Sequence, residues 1–267
     1  MITLASDFGS PYPAAMKGVI LQKSDARIVD VTHELPRQDV RAAAFWCRKT
    51  LPHFPPAVHV VVVDPGVGTD RDAIVIRVGE HVLIGPDNGV LRPVARQLTA
   101  QFSDKTTTDR ENHIEYFRYN YTDPQSATFH GRDVFAPAAA VIHNRGTASL
   151  ETLEAVTSVP ATAVVQCELP SATIDADNTT ATGEVLVVDD FGNAITNIPG
   201  SFLADRTGET VSVGTTTAEV TSTFADVDPG EPLLTVGSHG FVECDVNHGR
   251  GTEAFGLAVG DPVRIAF

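Results

Sequence analysis

The chain has 267 residues, 42% of them hydrophobic and 20% charged, enough apolar matter for one large core or two modest ones. Its 34 acidic residues against 19 basic ones give a formal charge of −15, and only four of the bases are lysines. A surface of that sign repels nucleic acid and anionic membranes, and no basic cluster offsets it, so neither is an expected partner.

An acid-rich, lysine-poor surface also suits a salty cytoplasm, where screening shortens the range of self-repulsion, and the chain is read as halophilic. No apolar run approaches the roughly 20 residues that span a bilayer. The start, MITLASDFGS, lacks the basic and apolar regions of a signal peptide. A soluble cytoplasmic protein is expected. Cys47, Cys167 and Cys244 are far apart with no CxxC pair, which points to buried thiols rather than disulfides or zinc.

In chain order, Val/Ile/Leu-rich segments at 2–5, 28–31, 58–63, 73–78 and 81–84 predict strands. Helices are predicted at 14–22 and 40–51, where Val40, Ala43, Ala44 and Cys47 share one face, and again at 91–98 and 134–143. That alternation argues an α/β domain with a mainly parallel sheet flanked by helices. Past Val165 the texture changes. SATIDADNTTATG (171–183) reads as a linker or loop, and short strands follow at 184–188, 194–197, 210–213, 219–220, 233–236, 241–246 and 262–266. Turn residues between them and the lack of a long helical pattern predict a smaller all-β barrel. The expected domains are 1–168 (N-terminal α/β) and 180–267 (C-terminal β-barrel).

Ligands of open parallel sheets bind outside the carboxyl ends of the strands. Four Gly-containing polar stretches are candidates for that place: SDFGS (6–10), VDPGVGTDR (63–71), GPDNG (85–89) and FHGRD (129–133). A fifth, VDDFGNAITNI (188–198), heads the second domain. Each alone also reads as a turn, and Asp64 with Arg71 also as an ion pair across a loop that Gly66 and Gly68 allow to bend. No GxxxxGK[ST], complete dinucleotide fingerprint, HExxH, EF-hand or GxSxG is present, so no cofactor, metal or covalent nucleophile is implied. Carboxylate, guanidinium and imidazole remain, groups suited to holding and polarising a water.

Taken in order, SDFG, MKGVI (16–20), DVTHELP (30–36), VVDPGVGTDR, GPDNGVL, FHGRDVFAPAAA, DDFGNAITNI and GSHGFVECDVNHGRG (237–251) resemble the S-adenosyl-L-methionine (SAM) hydroxide adenosyltransferases, or SAM hydrolases, relatives of the SAM-dependent fluorinase and chlorinase. The resemblance runs nearly end to end. It implies attack of water on the ribose 5′ carbon of SAM, giving adenosine and methionine without cofactor or metal. It also implies a homotrimer whose active sites lie between one subunit's N-domain and the next subunit's C-domain.

Carried over by position, the water-handling triad falls on Asp64, Arg71 and His130. Beside Arg71, Asp64 is expected to have a low pKa and to be a weak base, leaving orientation as the larger contribution. Asp7, followed by Phe8, matches the acid that grips the ribose hydroxyls. Asp189, Phe191 and Asn193 match C-domain contacts to the methionine and adenine, and Ser238 and Asn247 match the C-terminal ligand-binding segment. Members commonly carry a further acid between DFG and MKG. Here the stretch is two residues shorter, with Pro11 and Tyr12 in that place.

Two other readings are a non-catalytic adenosine- or SAM-binding module and a SAM-dependent halogenase. Against the halogenase, Asp64 would repel halide, and only Gly79-Glu80 stand where the fluorinating enzymes insert a long loop.

Overall fold

Residues Val58–Val62 form a strand buried along its whole length, and its side chains alternate between two cores. Val58, Val60 and Val62 pack on one side with Met16, Ile20, Ala139 and Ile142. Val61 and Val63 pack on the other with Ala43, Cys47, Val94 and Leu98. A strand with helices on both faces is buried at every position, so this run has no solvent face, and its one polar residue, His59, is hydrogen-bonded to Thr3 and His81. The computed structural model describes residues 1–102 and 113–267, and these fall into two units, Met1–Glu168 and Leu169–Phe267.

The first unit carries β1 (Ile2–Ser6), β2 (Ile28–Thr32), β3 (Val58–Val62), β4 (Ala73–Val78), β5 (His81–Pro86), β6 (Ile114–Tyr119) and β7 (Val156–Val159) in one sheet ordered β2-β1-β3-β5-β4-β6-β7. β2, β1, β3 and β5 pair in parallel. β4 runs antiparallel to both β5 and β6, and β7 antiparallel to β6. β6 therefore points the same way as the parallel set, and five of the seven strands share one direction.

The helices are α1 (Tyr12–Leu21), α2 (Val40–Thr50), α3 (Arg92–Leu98) and α4 (Ala136–Arg145). Asp39 caps α2 by accepting from the Ala42 N–H at 2.9 Å, and Arg48 and Lys49 sit in its last turn, where a helix favours positive charge. A single π-helical turn, Gly131–Phe135, leads into α4. The strands β6 and β7 go beyond the predicted set. IEYFRY puts Glu115 and Arg118 among its apolar residues, and Arg77 of the neighbouring strand grips Glu115.

In the second unit, β8 (Thr173–Ile174) and β9 (Thr180–Val188) form a hairpin. The stretch expected as a linker or loop is thus partly strand. Asp175 turns it, its Oδ1 accepting from the N–H of Thr179 and of Thr180 at 2.9 Å each. The unit continues with β10 (Ala194–Pro199), β11 (Thr210–Val213), β12 (Thr216–Val220), β13 (Pro232–Val236), β14 (Phe241–Val246), the short α5 (Gly251–Phe255) and β15 (Pro262–Ala266). The order β10-β14-β13-β12-β11-β15-β9, with β9 pairing back to β10, closes a seven-stranded barrel. Val242 and Cys244 of β14 point into the barrel core, while Glu243 and Asp245 alternate to the other face.

Candidate active site

β1 and β3 are parallel neighbours with Ser6 opposite Val62, so the chain leaves both at one level of the sheet's carboxyl edge. Asp7 follows β1 directly, and Asp64 follows β3 after Val63. With Phe8, Tyr12, Arg37, Phe129 and His130 they line one cavity of about 560 Å³. The loops SDFGS, VDPGVGTDR and FHGRD thus converge. GPDNG is not among this cavity's walls and serves the scaffold. Asn88 Nδ2 donates to the Val63 carbonyl at 2.8 Å, just ahead of Asp64, and Asp87 accepts from the Val165 N–H at 2.9 Å.

The Asp64 carboxylate is nearly enclosed, with 7% of its side chain exposed. Arg71 Nη1 lies 2.8 Å from Oδ1, and the Gly66 N–H donates to the same oxygen at 3.2 Å. Arg71 stands behind Asp64 and is not itself a wall of the cavity. Contrary to the low pKa expected from Arg71, the Asp64 carboxyl is raised above its ordinary value. Burial is the largest influence and pushes it up; Arg71, the Gly66 amide and His130 pull it down; and Asp7 pushes it up again. The charge of one neighbour is outweighed by the loss of water around the group.

Gly66 is where Arg71 passes, since a Cβ there would come within 1.3 Å of Nη2. Gly68 holds φ +81°, and a Cβ would meet the Ala127 carbonyl oxygen at 2.7 Å. His130 is 7% exposed, with its ring 5.6 Å from that of Tyr121.

Asp7 is held by the next loop, its Oδ2 accepting from the Gln38 N–H at 2.8 Å. Behind it runs a chain that begins where β2 ends. Ser6 Oγ meets His33 Nδ1 at 2.8 Å, His33 Nε2 meets Asp30 Oδ1 at 3.0 Å, and Lys17 Nζ donates to Asp30 Oδ2 at 2.8 Å. These supports, and the wall residues Tyr12, Arg37, Gln38 and Phe129, are additions to the predicted set. SDFG, DVTHELP and MKGVI held the signal for the chain Ser6-His33-Asp30-Lys17, but only the β1–β2 register, with Ala5 opposite Thr32, joins them.

The second unit has its own cavity of about 790 Å³, with Asp189, Phe191, Asn193 and Ser238 among its walls, together with Glu243, His239 and Arg250. Asp189 closes the DDFGN turn, Oδ1 accepting from the Asn193 N–H at 2.9 Å and Oδ2 from Asn193 Nδ2 at 3.1 Å. Phe191 is 79% exposed on the turn's tip. Asn247 is not among the walls. Its Nδ2 donates to the Val227 carbonyl at 2.7 Å and so ties down the neighbouring loop. Asp245 is fully buried with neither carboxyl oxygen hydrogen-bonded, and burial first, then Glu243 and Asp189, push its pKa up to about 8.

Among the described residues no group of three or more His, Cys, Asp or Glu is placed to hold a metal ion, and no helix is long and apolar enough to cross a membrane.

The chain is similar to known proteins along nearly its whole length. The chain is 38% identical to an (R)-S-adenosyl-L-methionine hydrolase of Salinispora tropica, over 99% of this chain and 97% of that protein. It is also 38% identical to one of Thermus thermophilus, over 97% of each. Two crystal structures share the fold. An uncharacterized conserved protein from Thermotoga maritima superimposes with TM-score 0.80 at 32% identity, over the whole of both chains. A conserved hypothetical protein from Thermus thermophilus gives 0.73 at 36%, over 99% of this chain and 98% of that one. Residues 2–154 match the SAM hydroxide adenosyltransferase N-terminal domain and residues 183–264 its C-terminal domain, and the chain belongs to the SAM hydroxide adenosyltransferase family.

Proposed function

We propose that this protein hydrolyses SAM to adenosine and L-methionine by attack of water on the ribose 5′ carbon. The observation that carries the reading is the enclosed Asp64 carboxylate, braced by Arg71 and sharing one cavity with His130 and Asp7. Water's oxygen forms the new bond to C5′ as the C5′–S bond breaks, and its electron pair returns to sulfur. The sulfonium leaves as the neutral thioether of methionine, and one proton is released. Because that leaving group needs no acid, the protein's task is to align a water opposite sulfur and accept its proton. Asp64, kept basic by burial, takes the proton; His130 orients the water, and Arg71 contributes through Asp64, which it holds in place and ionised; Asp7 holds the ribose hydroxyls as a paired acceptor.

In this reading Asp189, Phe191, Asn193 and Ser238 of the second unit hold adenine and methionine, Phe8 flanks the ribose, and Asn247 shapes the segment around them. The assembly is a homotrimer in which the N-terminal unit of one subunit and the C-terminal unit of the next complete each site. Sedimentation showing a monomer with full turnover would exclude it. The formal charge of −15 supports a cytoplasmic setting rich in salt, and melting temperature is expected to rise from dilute buffer to about 2 M KCl.

The deciding experiment is turnover of SAM in oxygen-18 water. Label is expected in the 5′ hydroxyl of adenosine with none in methionine. No turnover at either low or high salt sinks the proposal.

A further inference from the structure

Three aromatic side chains from distant parts of the sequence meet in the Asp64 cavity. Phe8 follows Asp7, Tyr12 opens α1, and Phe129 precedes His130. The Tyr12 and Phe129 ring centroids are 5.3 Å apart at 82°, Phe8 and Phe129 5.7 Å at 78°, and Phe8 and Tyr12 6.4 Å at 68°. Three rings so inclined present π faces in three directions, and all three line the cavity that Asp7, Asp64 and His130 line. Tyr12 is 55% exposed although large and apolar in its body, at a place where burial of the ring is not what holds the fold. Phe129 already accepts a cation, the Arg132 guanidinium, which stands 5.2 Å from the ring centroid and is itself held by both oxygens of Asp133.

The stretch from Ser10 to Pro13 contains no acid, and what it contributes to the cavity wall is the Tyr12 ring. A trialkyl sulfonium has no N–H to give to a carboxylate and carries its charge over methyl and methylene hydrogens. Such a cation is matched by the negative face of an aromatic ring, as quaternary ammonium groups are.

We propose that Tyr12, with Phe8 and Phe129, forms an aromatic wall that receives the substrate's sulfonium and makes the site prefer it over the corresponding neutral thioether. The inference rests on the cavity being the place of SAM. It adds to the selection that the Asp7 and Asp64 carboxylates make by charge in the same cavity, since ribose and adenine are common to the charged substrate and the neutral thioether.

The test measures binding of two ligands to the full-length protein by calorimetry. One is S-adenosylhomocysteine, the neutral thioether. The other is the quaternary ammonium analogue of SAM, with an N,N-dimethyl nitrogen in place of the sulfonium, which has a fixed positive charge and, like the sulfonium, no N–H. Neither offers the sulfonium leaving group on which the hydrolysis depends. Wild type is expected to prefer the ammonium analogue. Tyr12→Leu is expected to reduce that preference about fivefold while leaving thioether affinity within twofold, and Tyr12→Phe is expected to keep it. Phe129→Leu checks the same ratio from the other side of the cavity. Equal loss of both ligands in Tyr12→Leu, or an unchanged ratio, overturns the aromatic wall and leaves SAM hydrolysis standing. Failure of wild type to bind either ligand overturns both.

Discussion

Arg71 places Nη1 2.8 Å from Asp64 Oδ1, yet the Asp64 carboxyl is raised above its ordinary value because burial outweighs the guanidinium. In the proposed hydrolysis the pair works as a buried base with a counter-charge that keeps it ionised. Replacing Arg71 with Met removes the strongest influence holding that pKa down. Asp64 must be ionised to take a proton from water, so activity falls as pH drops through its pKa. The acid limb of kcat/KM is expected to lie above the ordinary aspartate value in wild type and to move to higher pH in Arg71→Met. Asp64→Asn and His130→Ala are expected to lower kcat at neutral pH by about tenfold or more. A limb that stays in place or moves down in Arg71→Met would contradict the role given to Arg71.

Gly66 and Gly68 stand on the same loop but differ in what they protect. A Cβ on Gly66 would collide only with the Arg71 guanidinium, the end of a flexible side chain, so Gly66→Ala is expected to fold and to displace Arg71 from Asp64. Its acid limb should shift as in Arg71→Met. A Cβ on Gly68 would strike the Ala127 backbone oxygen at a φ of +81°, and neither can yield cheaply. Gly68→Ala is expected to lose stability by about 1 kcal/mol or more. Urea unfolding of the two variants, beside their pH profiles, separates the effects, and equal stability losses would refute the distinction.

Ser6, 1% exposed, cannot itself meet substrate, but its hydroxyl ties the loop carrying Asp7 to His33. His33 Nε2 faces the Asp30 carboxylate and donates to it, so in the neutral ring Nδ1 accepts from Ser6. The His33 carbonyl also accepts from the Gly9 N–H at 2.8 Å, on the far side of Asp7. Ser6→Ala is expected to raise the Kd of adenosine about fivefold, the worth of one such hydrogen bond, with kcat changed less. In an Asp7→Ala background the same change should do little, because the support acts through Asp7. Additive losses in the double variant would show that Ser6 acts elsewhere.

How far these features were legible in the sequence depends on how local their causes are. The β3 run VHVVV, buried on both faces, announces a central strand, and the closing strands of the barrel read from their alternation. β6 hid because Glu115 and Arg118 interrupt its apolar residues. The TIDADNT hairpin looked like a linker because its turn is made by Asp175 hydrogen bonds among small polar residues. For Asp64, the sequence displays Arg71 seven positions on but not the burial that overrides it. Phe8, Tyr12 and Phe129 each read as an ordinary loop or helix aromatic until the fold gathers residues separated by more than a hundred positions.

His59 and His81, on the adjacent strands β3 and β5, form a buried pair with no part in the proposed chemistry. His59 Nε2 lies 2.9 Å from His81 Nδ1, and its Nδ1 lies 2.7 Å from Thr3 Oγ1. Burial first, then the charge of His81, push the His59 pKa down to about 3, and burial lowers His81 as well. Below its ordinary value of about 6.5 the unfolded chain protonates His59 while the folded chain does not, so His59 removes stability as pH falls from about 6.5 to about 3. Between pH 7.5 and 5 that amounts to about 2 kcal/mol, at roughly 1.4 kcal/mol per unit. Asp245, raised to about 8, acts in the opposite sense over the same interval, because its folded state holds the proton. The net slope of wild type is therefore not the readout; the difference from His59→Gln is. Urea unfolding at the two pH values is expected to show the Gln variant gaining about 2 kcal/mol on wild type at pH 5 relative to pH 7.5. A gap that is the same at both values would mean that the folded protein protonates His59 as readily as the unfolded chain does.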